Sequence, residues 1–296
     1  MSTFVQIVDD TLSEVSSYVR GQESITVLLQ AATDADTTLT VDDTSALSKG
    51  LVEVGDELAY LKSVNSQAGT ATVLPGGRGF RGTTAVAHGI NTLVRNNPLF
   101  PRDQIKRAIN ETIRGIDLRA LASHEFTFDG SAYAYALPSD FQDITGVTFD
   151  SPDSTEIWPL IKRYRVDRNF RVSGDSSMRS AIVLNEYPTP GRTVRVQYAK
   201  YPTALSATTD EFSTVSGLPA SSEDVIRLGA MWRLISTVDP GKVVARTPAA
   251  DLVDAPVPSG ESTSVSRYLF QLFTVRLNEE KAKQQDNYLS IIQYAR

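Results

Sequence analysis

The chain has 296 residues, 41% of them hydrophobic and 22% charged, with 29 basic against 35 acidic side chains and a formal net charge of −6. That length suits one large domain or two modest ones and can bury about three quarters of the surface its unfolded form exposes, so no external staple is needed. The lack of cysteine excludes disulfides, thiolate metal sites and a cysteine nucleophile, and two histidines, His88 and His124, argue against a multi-histidine metal centre or a histidine relay.

In chain order, the opening MSTFVQIVDDTLSEV carries acids where a signal peptide would need a basic stretch and an apolar run, and no stretch of about 18 apolar residues follows. The chain is therefore expected to be soluble and made inside the cell. Residues 3–20 place Phe4, Ile7, Val8, Leu12, Val15 and Val19 at spacings of three and four, one apolar stripe on a helix that Gly21 ends. The period then changes. Short, β-branched, alternating segments punctuated by Gly, Asp and Asn predict an antiparallel β unit over 24–97. Pro98 and Pro101 stop its last strand. A second helix over 102–122 carries Ile105, Ile109, Ile113, Ile116 and Leu121 on one stripe, with Arg102, Lys106, Arg107 and Arg114 around it.

From Glu125 to Pro202 the alternation returns, with a turn every 8–12 residues or so, and predicts a second β unit, a small sandwich. A linker, 203–218, leads to a third helix with Ser221 and Ser222 as N-cap candidates and Pro240 as its stop. After a proline-rich loop the last helix begins near Val265. Val265, Leu269, Leu272, Phe273 and Leu277 pack like core, residues 278–287 (NEEKAKQQDN) form a polar shaft, and Tyr288, Leu289, Ile291, Ile292 and Tyr294 make an apolar tip. Either the tip folds back on its own bundle or it is a peg for another protein. The order helix, β, helix, β, helix, helix predicts an α+β fold: a helical bundle core (1–22, 98–123 and 219–296) with two inserted antiparallel β units (24–97 and 124–210) and a long C-terminal helix.

Several patterns bear on chemistry. PGGRGFRGTTAVAHG contains G-x-G-x-x-G at Gly77, Gly79 and Gly82, but no helix opens there to receive a pyrophosphate, and no Gly-Lys-[Ser/Thr] follows. The reading is a glycine-rich β connection with Arg78 and Arg81 projecting outward, both candidates for inter-subunit or β-loop contacts. Asp9–Asp10 and Asp42–Asp43 lack the calcium-loop pattern, and no G-x-S-x-G elbow occurs. Lys162, Arg163, Arg165, Arg168 and Arg171 alternate with Trp158, Tyr164 and Phe170. Such interleaving binds single strands by stacking and charge, or marks a solvated or subunit-facing strand, and Lys162, Arg163 and Arg165 are carried forward as subunit-contact candidates. No catalytic residue, cofactor or metal is expected.

Charge is unevenly spread: residues 1–75 hold 3 basic and 11 acidic side chains, residues 76–123 hold 8 and 3. The basic belt could meet an acidic partner, the acidic 1–75 of a neighbouring copy included, or be a solvated helix face. A chain acidic overall is not a general nucleic-acid binder, whose affinity comes from phosphate contacts.

VEVGDELAYLKSV followed by PGGRGFRGTTAVAHGINTLV resembles a β module of tailed-phage virion proteins, and NPLFPRDQIKRAINETIRGI resembles the helix that follows it in head-to-tail adaptor (connector) proteins. The resemblance is close over about residues 40–122. It implies a non-enzymatic ring protein, commonly dodecameric, in the virion neck. Such a ring binds beneath the portal protein, offers a surface to the tail, stopper or tail-terminator protein, and lets genomic DNA pass without sequence-specific binding. It also implies that Tyr288, Leu289, Ile291, Ile292 and Tyr294 belong to a portal-docking tail. A tail-associated or carbohydrate-binding β protein, stacking sugars on Trp158 and Tyr133/Tyr135, is the competing expectation.

Overall fold

In the computed structural model, residues 2–19, 23–132, 134–151, 158–171, 178–238, 243 and 261–287 are described. The chain weaves two units from interleaved segments. One comprises Val5–Thr112 and Ile226–Phe273; the other comprises Met1–Phe4, Ile113–Val225 and Thr274–Arg296.

The first unit is built on six antiparallel strands: β1 (Ser24–Val27), β2 (Thr38–Thr40), β3 (Gly50–Val54), β4 (Glu57–Asn65), β5 (Thr70–Val73) and β6 (Leu93–Asn96), in the order β1-β6-β3-β4-β5-β2. Period-two alternation sends Val52, Val54, Ala59, Leu61, Val73 and Val94 to one face, where all are at most 2% exposed. Burying each of the Val and Leu side chains contributes about 1.5–3 kcal/mol. Gly55, at φ +59, turns β3 into β4 within two residues, which places Asp56 at the tip of the hairpin. The outer strands also meet. Leu28 bridges Val41, Leu29 N donates to Thr40 O at 2.9 Å, and Asp42 N donates to Val27 O at 3.0 Å, curling the sheet toward a barrel. Most of helix α1 (Phe4–Ser16) and of helix α2 (Arg102–Gly115) belongs to this unit.

In the second unit β7 (Ala120–Thr127), β12 (Thr193–Lys200) and β9 (Phe141–Phe149) form one sheet in the order β7-β12-β9. A second sheet has the order β10-β11-β8, from β8 (Tyr135–Ala136), β10 (Tyr164–Arg171) and β11 (Met178–Leu184). The two sheets share one core, drawn from Phe128, Phe141, Val147 and Ile182 together with Val194 and Val196. A short helix α3 (Phe212–Ser216) falls in the stretch expected to be a linker, closed by Gly217 at φ +73. Two longer helices follow, α4 (Glu223–Ser236) and α5 (Glu261–Asn287).

The expected fold class is corrected on two counts. The molecule is mostly antiparallel sheet rather than a helical bundle carrying β insertions, because three sheets each have an apolar face to bury and the two β cores are complete without a bundle. Only the long last helix fits that picture. An apolar stripe shows that one helix face is covered, not that other helices cover it. Helices do meet among the described residues: a Cβ on Gly229 of α4 would lie 2.4 Å from Thr112 of α2 and 3.0 Å from the Phe273 ring of α5, and Arg227 of α4 pairs with Glu14 of α1 at 2.9 Å. The second correction is local. The helix expected over 102–122 ends at Gly115, and Leu121 lies on β7 with its side chain exposed.

Candidate functional site

The glycine-rich connection between β5 and β6 wraps around one carboxylate. Glu57, the first residue of β4, points into the barrel interior and is 1% exposed. Arg78 Nε donates to its Oε1 at 2.6 Å and Arg78 Nη2 to its Oε2 at 2.9 Å; the amides of Gly79 and Val86 add bonds of 2.9 and 3.2 Å. His88 Nε2 stands 2.9 Å from Oε2. An ionised carboxylate only accepts, so that nitrogen carries the proton. Burial alone would push Glu57 up, but the bonds from Arg78, Gly79, His88 and Val86 outweigh it and hold the carboxyl at about 2.

Arg78 is consumed by the same cluster. Its Nη1 donates to Thr33 O at 2.7 Å and Asp36 O at 2.9 Å, and its Nη2 to Val86 O at 2.8 Å, so all five guanidinium donors are used. The expectation that Arg78 projects outward is therefore corrected. Arg81 is exposed, at φ +56, and its carbonyl accepts from Arg107 Nη2 at 3.2 Å. The glycines meet backbone limits. A Cβ on Gly77 would lie 2.8 Å from Leu74 O, and one on Gly79, itself at φ +61, 2.8 Å from Thr83 O.

The basic belt is largely neutralised within this unit. Arg95 bonds Glu53 and Glu23, each at 2.5 Å; Arg102 bonds Asp56 at 2.7 Å and also Asp9; Lys106 bonds Asp56 at 2.8 Å. Every one of these acids, like Glu57, lies within residues 1–75, so the opposed charge runs of the sequence pair inside one chain rather than needing a neighbour. Glu53, 1% exposed, also accepts from the Arg102 amide at 2.5 Å and so satisfies the first turn of α2. Burial pushes Glu53 up despite its bonds to Arg95 and Arg102.

In the second unit Lys162, Arg163, Arg165, Arg168 and Arg171 are exposed, while Tyr164 and Val166 pack against the shared core. The strand thus separates charge from apolar groups by face instead of interleaving them on one surface. The sugar platforms are engaged internally. Arg195 lies 3.8 Å from the centroid of the Trp158 ring, Tyr135 stacks on Phe126 at 4.3 Å, and its hydroxyl donates to Asp129 at 2.9 Å. Tyr133 lies outside the described residues. A cleft of about 410 Å³ opens beside Phe128, Tyr187, Pro188 and Pro190.

The polar shaft of α5 is held to its own unit by side-chain bonds. Arg276 bonds Asp224 at 2.7 Å; Glu280, 1% exposed, accepts from Ser221 Oγ at 2.8 Å; Lys281 reaches Asp117 at 3.4 Å. Gln284 receives the Arg119 amide at 3.1 Å and donates to the Arg119 carbonyl at 3.0 Å. This polar clamp escaped the sequence reading because each partner lies far away along the chain. Ser221, expected to cap α4, is spent on Glu280. Tyr288, Leu289, Ile291, Ile292 and Tyr294 lie outside the described residues. Among the described residues no group of three or more His, Asp or Glu could hold a metal ion, and no helix is long and apolar enough to cross a membrane.

The SU10 adaptor protein family matches over residues 83–255, more than half of the chain. No curated protein matches it.

Proposed function

As the chain belongs to the SU10 adaptor protein family, a family of phage adaptors, we propose that it forms a ring at the head-to-tail junction of a tailed-phage virion. Copies close into a ring, a dodecamer by analogy with other connectors. The ring binds the portal protein on one side and a tail, stopper or tail-terminator protein on the other. Genomic DNA passes through its channel without sequence-specific contacts, and the role is structural rather than catalytic.

The observation that carries this reading past the family is the clamp on α5. Residues 276–284 are fixed by ion pairs and by the Gln284 amide, so the described part of α5 is held firmly to its own unit. Tyr288, Leu289, Ile291, Ile292 and Tyr294 are the anchors that dock the portal, because aromatic and aliphatic side chains dominate interface energetics once desolvated. Arg81, Lys162, Arg163 and Arg165, all exposed, are assigned here to contacts with neighbouring subunits. A net charge of −6 per subunit keeps a channel wall from trapping phosphates. Mixing the purified chain with the portal protein of its own phage and sedimenting the mixture should yield a ring-sized complex; a chain that stays monomeric with and without portal overturns the proposal.

A further inference from the structure

Strand β10 carries charge that its own unit does not balance. Lys162 and Arg163 stand just before it, and Arg168 and Arg171 lie along its second half. All four are exposed, and none has an acidic partner among the described residues. Other cations of the unit do find acids: Arg195 pairs with Glu125 at 2.6 Å and Lys200 with Asp140 at 3.3 Å. Arg168 Nη2 donates to the Gln142 carbonyl at 2.9 Å, a bond that leaves its charge uncompensated. Asp167, the single acid of the strand, accepts from the Asn169 amide at 3.0 Å. Tyr164 packs against the core and is not presented for a base to stack on, which counts against a nucleic-acid strand as the partner.

In the barrel unit the imbalance has the opposite sign. Of the eleven acids within residues 1–75, all but Asp34, Asp36, Asp42 and Asp43 hold an Arg partner. These four are exposed and flank β2, two before it and two after it. The Thr33 amide donates to Asp36 Oδ2 at 2.7 Å. Ser45 donates to Asp43 Oδ1 from its hydroxyl at 2.6 Å and from its amide at 2.8 Å. These bonds hold both carboxyls below the usual carboxylate range, so both stay charged in mild acid. From Asp36 to Asp42, and from Arg163 to Arg168, is roughly 17–20 Å of extended chain.

We propose that the uncompensated cations of β10 in one copy meet the acids flanking β2 in the next copy. Two observations select a second copy as the occupant. A ring closes through heterologous contacts, which need two different patches of one chain that fit each other. The second unit offers four cations and the barrel unit four acids, at similar spacing, and neither set is neutralised among the described residues of its own chain. Exposed pairs of this kind add little affinity singly, but together they select the partner and fix its register. This rests on the ring reading above and names the surfaces that close the ring.

Charge reversal in the full chain tests it, by sedimentation velocity over a range of concentrations with and without portal protein. One variant carries Arg163→Glu and Arg171→Glu, the other Asp34→Lys and Asp42→Lys. These side chains make no hydrogen bond or ion pair among the described residues, so both variants should melt close to the wild type. Each variant alone should need at least about tenfold more protein to assemble, because like charges then face each other. An equimolar mixture should assemble like the wild type, the two variants alternating around an even-numbered ring so that each reversed surface meets its opposite. Variants that assemble normally alone, or a mixture that does not recover, overturn the contact while leaving the ring reading intact. Variants that form rings normally but no longer bind portal or DNA overturn it in favour of that partner. A wild type that stays monomeric with and without portal overturns the ring reading and this contact with it.

Discussion

At the scale of single residues the barrel depends on Glu57. Its carboxylate gathers Arg78, His88 and two loop amides in a buried site, so removing its charge strands the Arg78 guanidinium. Glu57→Gln should cost about 3–5 kcal/mol, the usual penalty for leaving a buried charge without its partner, and Arg78→Lys should lose the fork that binds Glu57 while keeping the charge. Thermal melting of both variants checks this. The pH dependence follows from the same bonds. A carboxyl held at about 2 against an ordinary 4.5 contributes stability that is fully present above 4.5 and is lost as pH falls toward 2. The size is on the order of 3 kcal/mol. Glu53 acts oppositely: raised by burial, it favours the folded state as pH falls toward its own titration. Acid titration of the Glu57→Gln variant should therefore lose the fall below 4.5 that the wild type shows. Arg78 was legible as important but not as buried. Strand alternation places side chains by parity, whereas Arg78 lies in a loop and its partner lies 21 residues back.

Among elements, the glycine-rich connection and the helix crossing make different demands on the backbone. Gly79→Val would force a β-branched residue into φ +61 with its Cβ 2.8 Å from Thr83 O, and should destabilise by about 2 kcal/mol or more. Neither NAD nor ATP should raise the melting temperature of the wild type; a rise with either would return the loop to the nucleotide-binding class. The β elements were readable because alternation and turn residues are local signals. The short helix α3 and the early end of α2 were not. Phe212–Ser216 is too short to show a period, and Ile116 and Leu118 continue the apolar count past Gly115 although they are buried outside the helix. The docked face of α5 beyond Arg276 was equally invisible, since Glu280 and Gln284 are held by hydrogen bonds and leave no apolar stripe.

For the molecule as a whole, the acidic and basic runs of the early sequence offset each other in part, through pairs that are mostly shielded from solvent. Salt screens such pairs weakly. Raising ionic strength from about 0.1 to 1 M should then shift the melting temperature by no more than about 3 °C, a difference readable by calorimetry. A larger loss would mean that the pairing is more open than Glu53 and Glu57 imply. The interleaving of the two units has a consequence for how the chain is born. All six strands of the barrel come from residues 24–96, so their pairing can finish while the ribosome is still adding the rest. The other unit must wait: Lys281 and Gln284 clamp residues that were made about 165 positions earlier, and Glu280 meets Ser221 only when the last helix emerges. Synthesis thus pairs the barrel strands first and closes the second unit only once α5 is made, so a prematurely stopped chain carries a paired barrel sheet and an unclamped second unit.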